Sequence, residues 1–144
     1  MFEALKAKSD ALHAQMEELR KEAAEAMKPM LIAFMTETPQ VKAVKWTQYT
    51  PYFNDGDPCT FRVNDPEFYF EGDDQDDEGK SLWSLDRSDY GPKPGQCSPE
   101  TAKACAAFVD ALGGMDDALE TLFGDHCKVI VTADGVEVDE YDHD

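Results

Sequence analysis

Asp74, Asp76, Glu78 and Gly79 fall on positions one, three, five and six of a calcium-binding loop, a spacing that lets alternate carboxylates close around a divalent cation. The twelfth position, where such a loop needs a bidentate glutamate, is Leu85, and the fifth is Glu where Asp or Asn is usual. The flanking segments do not read as paired helices. The stretch therefore reads as a solvated acidic loop, and no metal site is assigned.

Thiol and histidine chemistry lack their spacing as well. Cys59, Cys97, Cys105 and Cys127 stand far apart with no C-x-x-C pair, so they read as reduced structural thiols. His13, His126 and His143 fall on a helix, at a helix–strand junction and beside the C-terminus. None has a context that supplies both a nucleophile and an orienting acid. There is no phosphate-binding loop and no dinucleotide fingerprint. No catalytic residue and no cofactor is assigned, and the expectation is a protein that is not an enzyme.

Recognition chemistry is better represented. Residues 49–58 set Tyr49, Tyr52 and Phe53 beside Asn54, Asp55, Gly56 and Asp57, which joins stacking surfaces to hydrogen-bonding groups. The same residues also suit a rigid hairpin loop whose aromatics fold onto the sheet, with Asn-Asp-Gly as turn chemistry. Trp46, Tyr49, Tyr52, Phe53, Asn54 and Asp55 are the candidates for specific contacts.

The chain of 144 residues carries 31 Asp and Glu against 13 Lys and Arg, a net charge of −18. Residues 1–50 are balanced at seven of each sign, whereas residues 129–144 hold six acids and no Lys or Arg. Such a field repels phosphate and anionic lipid and attracts cationic partners. Direct nucleic-acid binding and membrane association are thereby disfavoured. Asp73, Asp74, Asp76, Asp77, Glu78, Asp139 and Glu140 are the candidate carboxylates for a basic partner surface. Hydrophobic content of 42% with eight Phe, five Tyr and two Trp argues against a disordered acidic tail. The first residues turn polar at once, without the apolar run of a secretory leader, so a cytoplasmic location is expected.

Several elements must hold these groups. Residues 1–36 read as one helix, an arm preceding a single domain at 37–144. Leu5, Leu12, Leu19, Ala26 and Ala33 recur every seven residues, with Phe2, Ser9, Met16, Ala23 and Met30 filling the second seam. Self-association through Leu5, Leu12, Met16 and Leu19 is one reading; a helix lying along its own sheet is the other. Pro29 is expected to kink or restart the helix. Strands are expected at 41–50, 59–64 and 67–71, forming an antiparallel meander. Leu82, Trp83 and Leu85 should return to the core, and 86–96 should be an extended connector.

Ser98-Pro99-Glu100 opens a helix with Ala102, Cys105, Val109 and Leu112 inward, and Gly113-Gly114 ends it. A short helix from Asp116 follows. Residues 127–141 alternate about Asp134-Gly135, which predicts a type I′ hairpin with Val131 facing Val138 and Ala133 facing Val136. The order is α-βββ-αα-ββ, an α+β fold.

The stretches WTQYTPYFNDGDPCTF at 46–61 and GDHCKVIVTADGVEVDEYDHD at 124–144 resemble a family of small acidic proteins of unassigned function from tailed-phage genomes. Together they cover about a quarter of the chain. The resemblance implies an intracellular product of an infected bacterium and brings no activity or site residue with it. Small acidic phage proteins often neutralise host enzymes.

The expected function is an acidic interaction or inhibitor protein that docks its carboxylates on a basic partner, a host nucleic-acid-handling enzyme being the class in view. Two alternatives stand beside it. One is a small-ligand or metal-binding oligomer that uses loop 49–58; the other is a virion structural or assembly protein.

Overall fold

Helix formers dominate the N-terminus, and in the computed structural model they give α1 (Phe2–Glu37), which runs through Pro29 as one element. The structure describes residues 2–51, 56, 59–85 and 91–141. After α1 come β1 (Val41–Tyr49), β2 (Arg62–Val63), β3 (Glu67–Phe70), α2 (Leu82–Leu85), α3 (Pro99–Leu112), α4 (Asp116–Phe123), β4 (Cys127–Thr132) and β5 (Gly135–Glu140). The class is α+β, with a long N-terminal helix, an antiparallel sheet and a C-terminal hairpin.

The reading of α1 as a helix lying along its own sheet holds for its second half. Ala24, Met27, Leu31 and Met35 are buried against the sheet and α4, while residues 2–22 are exposed along their whole length. The buried stripe lies one residue on from the heptad positions Ala23, Ala26 and Met30. A strict seven-residue stripe drifts about 20° per heptad around a straight helix, so by the last turns it has rotated off the core-facing side.

β1 is the central strand. It pairs antiparallel with β4 on one side, from Ala43↔Thr132 to Gln48↔Cys127. Its other edge is shared: β3 pairs with residues 41–45 and β2 with Gln48 and Tyr49. The expected meander is corrected here, because β2 and β3 follow one another along the same edge of β1 instead of pairing together. Asp65 and Pro66 interrupt the ladder between them, and proline has no N–H to give it.

The hairpin register also differs from expectation. Thr132 pairs with Gly135 and Val131 with Val136, so the two-residue loop is Ala133-Asp134. Neither of these takes a positive φ, as a type I′ turn requires; Gly135 alone takes one, at 147°. The pairing slips by two residues in total, so Val129 and Val131 keep their inward face.

The core lies between the sheet and helices α1, α3 and α4. Phe108 is its aromatic hub, with ring centroids 4.5 Å from Phe34, 5.9 Å from Phe68 and 6.4 Å from Trp46. Burying one such side chain contributes roughly 1.5–3 kcal/mol, so this cluster is a large part of the driving force. α3 begins as expected: Ser98 Oγ accepts from the Thr101 amide and Pro99 occupies the first turn. Its buried positions are Thr101, Cys105, Phe108 and Leu112. Leu82 and Leu85 pack against the core, whereas Trp83 is 60% exposed, so its expected return to the interior is corrected.

Candidate interaction surface

The sequence alternation Phe68-Tyr69-Phe70 sends the two phenylalanines to the helical side and Tyr69 to the opposite face of the sheet. Tyr69 is nonetheless fully buried, because the acidic loop after β3 folds back over it. Its hydroxyl donates to the Asp77 carbonyl at 2.7 Å, and the Lys45 ammonium sits 5.1 Å from its ring centroid. A Cβ at Gly79 would come within 2.8 Å of the Tyr69 ring. Glycine is needed there for close approach, not for its backbone angles. Burial, reinforced by the neighbouring Glu67 carboxylate, pushes the Tyr69 hydroxyl up to about 12.

The loop is closed at its base by reciprocal backbone hydrogen bonds of 2.9 Å between Phe68 and Lys80. Asp73 staples its first turn, accepting from the Phe70 amide at 2.9 Å and from Lys80 Nζ at 2.8 Å. Gln96 Nε2 donates to the Glu71 carbonyl at 2.8 Å and to Asp73 Oδ1 at 3.3 Å. Burial alone would raise the Asp73 carboxyl, but hydrogen bonds from Lys80, the Phe70 amide and Gln96 hold it below its ordinary value. Lys45 Nζ donates to the Gln75 carbonyl at 2.7 Å, and Asp74 Oδ1 accepts from the Asp76 amide at 2.9 Å.

The predicted acids therefore divide. Asp74, Asp76, Asp77 and Glu78 are exposed. Asp73 is a correction: its carboxylate is committed to the loop's own bracing. Asp139 and Glu140 are exposed on β5, an edge strand. The loop and the hairpin meet across the outer face of the sheet. A groove of about 620 Å³ has Asp76 on one side and Glu137 and Asp139 on the other, with Lys42, Lys45 and Lys128 also lining it.

Compared with protein-family models, curated proteins and solved structures, the chain matches none. No described helix is long and apolar enough to cross a membrane.

The aromatic candidates divide as well. Trp46 is corrected from contact residue to core residue: it is 2% exposed, on the same inward parity as Val44. Tyr49 is half-buried and stacks on Tyr141, centroids 5.7 Å apart. Tyr52, Phe53, Asn54 and Asp55 lie outside the described residues. Next to Tyr49, Thr50 donates its amide and hydroxyl to the two oxygens of Asp125, each at 2.7 Å. Asp125 also accepts from the His126 amide, and His126 has a φ of 52°, unusual for a residue with a side chain.

Cys105 and Cys127 are buried, Cys97 is half-buried and Cys59 is exposed; all four are free. Burial pushes the Cys105 thiol up to about 12, so it is protonated and inert at neutral pH.

The sequence reading missed Tyr69, Lys45, Lys80 and Gln96 as organisers of the acidic loop. The legible signal was Tyr69 itself, a large aromatic on the sheet face opposite two core phenylalanines, which requires something to cover it.

Proposed function

We propose that this is a non-enzymatic, self-associating acidic protein that docks on a basic surface of a partner, a host nucleic-acid-handling enzyme being the class its field suits. The convergence of Asp76 with Glu137 and Asp139 on one groove supports this reading, since it joins two acidic segments far apart in sequence. The pinned loop adds to it. Carboxylates on a braced loop lose less conformational freedom on binding than carboxylates on a floppy one. Lys42, Lys45 and Lys128 partly neutralise the groove, so the exposed acids outside it, Asp74, Asp77, Glu78 and Glu140, add to the attraction.

Affinity capture from a bacterial lysate would identify the partner, and association rates at several salt concentrations would test the docking surface. Neutralising Asp74, Asp76, Asp77 and Glu78 together should slow association and flatten its salt dependence, because steering by exposed charge acts mainly on the on-rate. Equal association rates for native and neutralised protein across that range would refute the reading.

A further inference from the structure

The exposed arm of α1 carries a stripe of Phe2, Leu5, Leu12, Met16 and Leu19, all 57–82% exposed. This stripe is continuous with the face of α1 that α4 covers lower down. A groove lined by Met16, Leu19, Ala23, Met115 and Ala118 marks the place where that cover stops. We infer that a second copy of this chain completes the cover, its arm running antiparallel so that Phe2 and Leu5 of one copy seat on Ala26 and Ala23 of the other.

Three observations select this arrangement. In the antiparallel register Phe2 faces Ala26, Leu5 faces Ala23, Ser9 faces Leu19 and Leu12 faces Met16, so most layers match a large side chain with a small one. A parallel pair would stack Ser9 on Ser9 and Ala23 on Ala23, leaving polar and under-filled layers.

The flanking charges agree on one edge. Lys8 of one copy comes level with Glu22 of the other on one edge of the seam. On the opposite edge Lys6 comes level with Arg20, a like charge, with Asp117 of α4 lining the same groove. The parallel pair would instead bring Lys8 to His13 and Gln15 to Arg20, with no opposite charges.

The long-range field agrees too. Residues 2–22 hold four Lys and Arg against five Asp and Glu, while the rest of the chain holds nine against 26. An arm of this length is about 30 Å long, several Debye lengths at physiological salt, and antiparallel pairing keeps the two acidic bodies at its opposite ends.

This geometry rests on the self-association proposed above, and two measurements separate them. Sedimentation of the native chain should give a dimer. In a Cys59→Ser background, Leu5→Cys and Ala23→Cys chains mixed and mildly oxidised should form the mixed disulfide, with Leu5→Cys alone remaining uncrosslinked. Circular dichroism confirms that each variant folds. Reversing Lys8 to Glu should weaken the dimer about tenfold, with Glu22→Lys restoring it. A disulfide between two Leu5→Cys chains in an intact dimer would overturn the antiparallel geometry and leave self-association standing. A monomeric native chain at all concentrations would overturn both.

Discussion

The indole Nε1–H of Trp46 donates to Oε1 of Gln48 at 3.0 Å, two residues along the same strand and on the same buried face. Gln48 in turn donates through Nε2 to the carbonyls of Leu119 and Gly124, at 3.0 and 2.8 Å. One fully buried amide thereby spends both donors and its acceptor, and ties the central strand to the end of α4. Satisfied networks of this kind fix one arrangement of a core, because any shift strands polar groups away from water.

Replacing Gln48 with Leu keeps the volume similar and removes every one of these bonds. The Trp46 N–H is left without its acceptor in a site closed to water. Since each unsatisfied buried group costs about 1–3 kcal/mol, the expected loss is about 2–5 kcal/mol in urea unfolding. The double variant with Trp46→Phe should lose less than the sum of the single changes, because the stranded donor is then gone. Strict additivity would show that the two side chains do not act together.

Asp73 and its neighbours should respond in opposite ways to neutralisation. Asp73→Asn weakens an ion pair to Lys80 and a hydrogen bond to the Phe70 amide, both partly buried, and should cost about 1–2 kcal/mol. Neutralising Asp77 or Glu78 relieves repulsion in a chain of net charge −18 and should leave stability unchanged or slightly raised at low salt. Thermal melts of the single variants check this. Equal losses at Asp73 and Glu78 would refute the division between bracing and displayed carboxylates.

Much of this architecture was legible from residue order, and the misses share a physical cause. The inward parity of Val129 and Val131 and the cap at Ser98 depend on neighbours a few residues away, so local pattern sufficed. Which strand pairs with β1 depends on the whole sheet, and alternation in Arg62–Val63 or Glu67–Phe70 says nothing of the partner. The turn at Ala133-Asp134 was misplaced because Asp-Gly fits a type I′ loop well, whereas here the glycine follows the loop. Trp46 looked like a contact residue by composition. Its parity with Val44, and a polar Gln48 on the same parity, were the clue that it was buried. The acidic loop could not be read as ordered, because its braces Lys45 and Gln96 come from 30 and 23 residues away.

Tyr69 gives the alkaline limb of stability a specific origin. Its hydroxyl stays protonated in the fold to about 12, against an ordinary 10.0 in the unfolded chain. The unfolded state releases this proton first, so the associated stability is complete below pH 10 and is lost as pH rises towards 12. Tyr69→Phe removes that slope, while costing about 0.5–1.5 kcal/mol at neutral pH for the bond to Asp77. Urea titrations of both proteins across this window measure it. Parallel declines would mean that the alkaline loss arises elsewhere.

Asp125 supplies the corresponding acid limb. Burial would raise its carboxyl, but the hydroxyl and amide of Thr50 and the amide of His126 bring it below the ordinary 3.8. With the folded value lowered, its stabilisation is present above the unfolded value and is lost as pH falls through the folded one. The carboxylate is one-third exposed, so solvent screens part of the effect. Asp125→Asn should therefore cost only about 1 kcal/mol near neutral pH, since the amide oxygen can keep one of the Thr50 bonds. That difference should shrink towards zero as the native carboxylate protonates below pH 3.8, bringing the two proteins together in acid. Unfolding free energies of both, measured from neutral pH downwards, decide the matter. A gap that persists undiminished well below the ordinary carboxylate range would mean that Asp125 holds Thr50 through shape alone and that its charge contributes nothing.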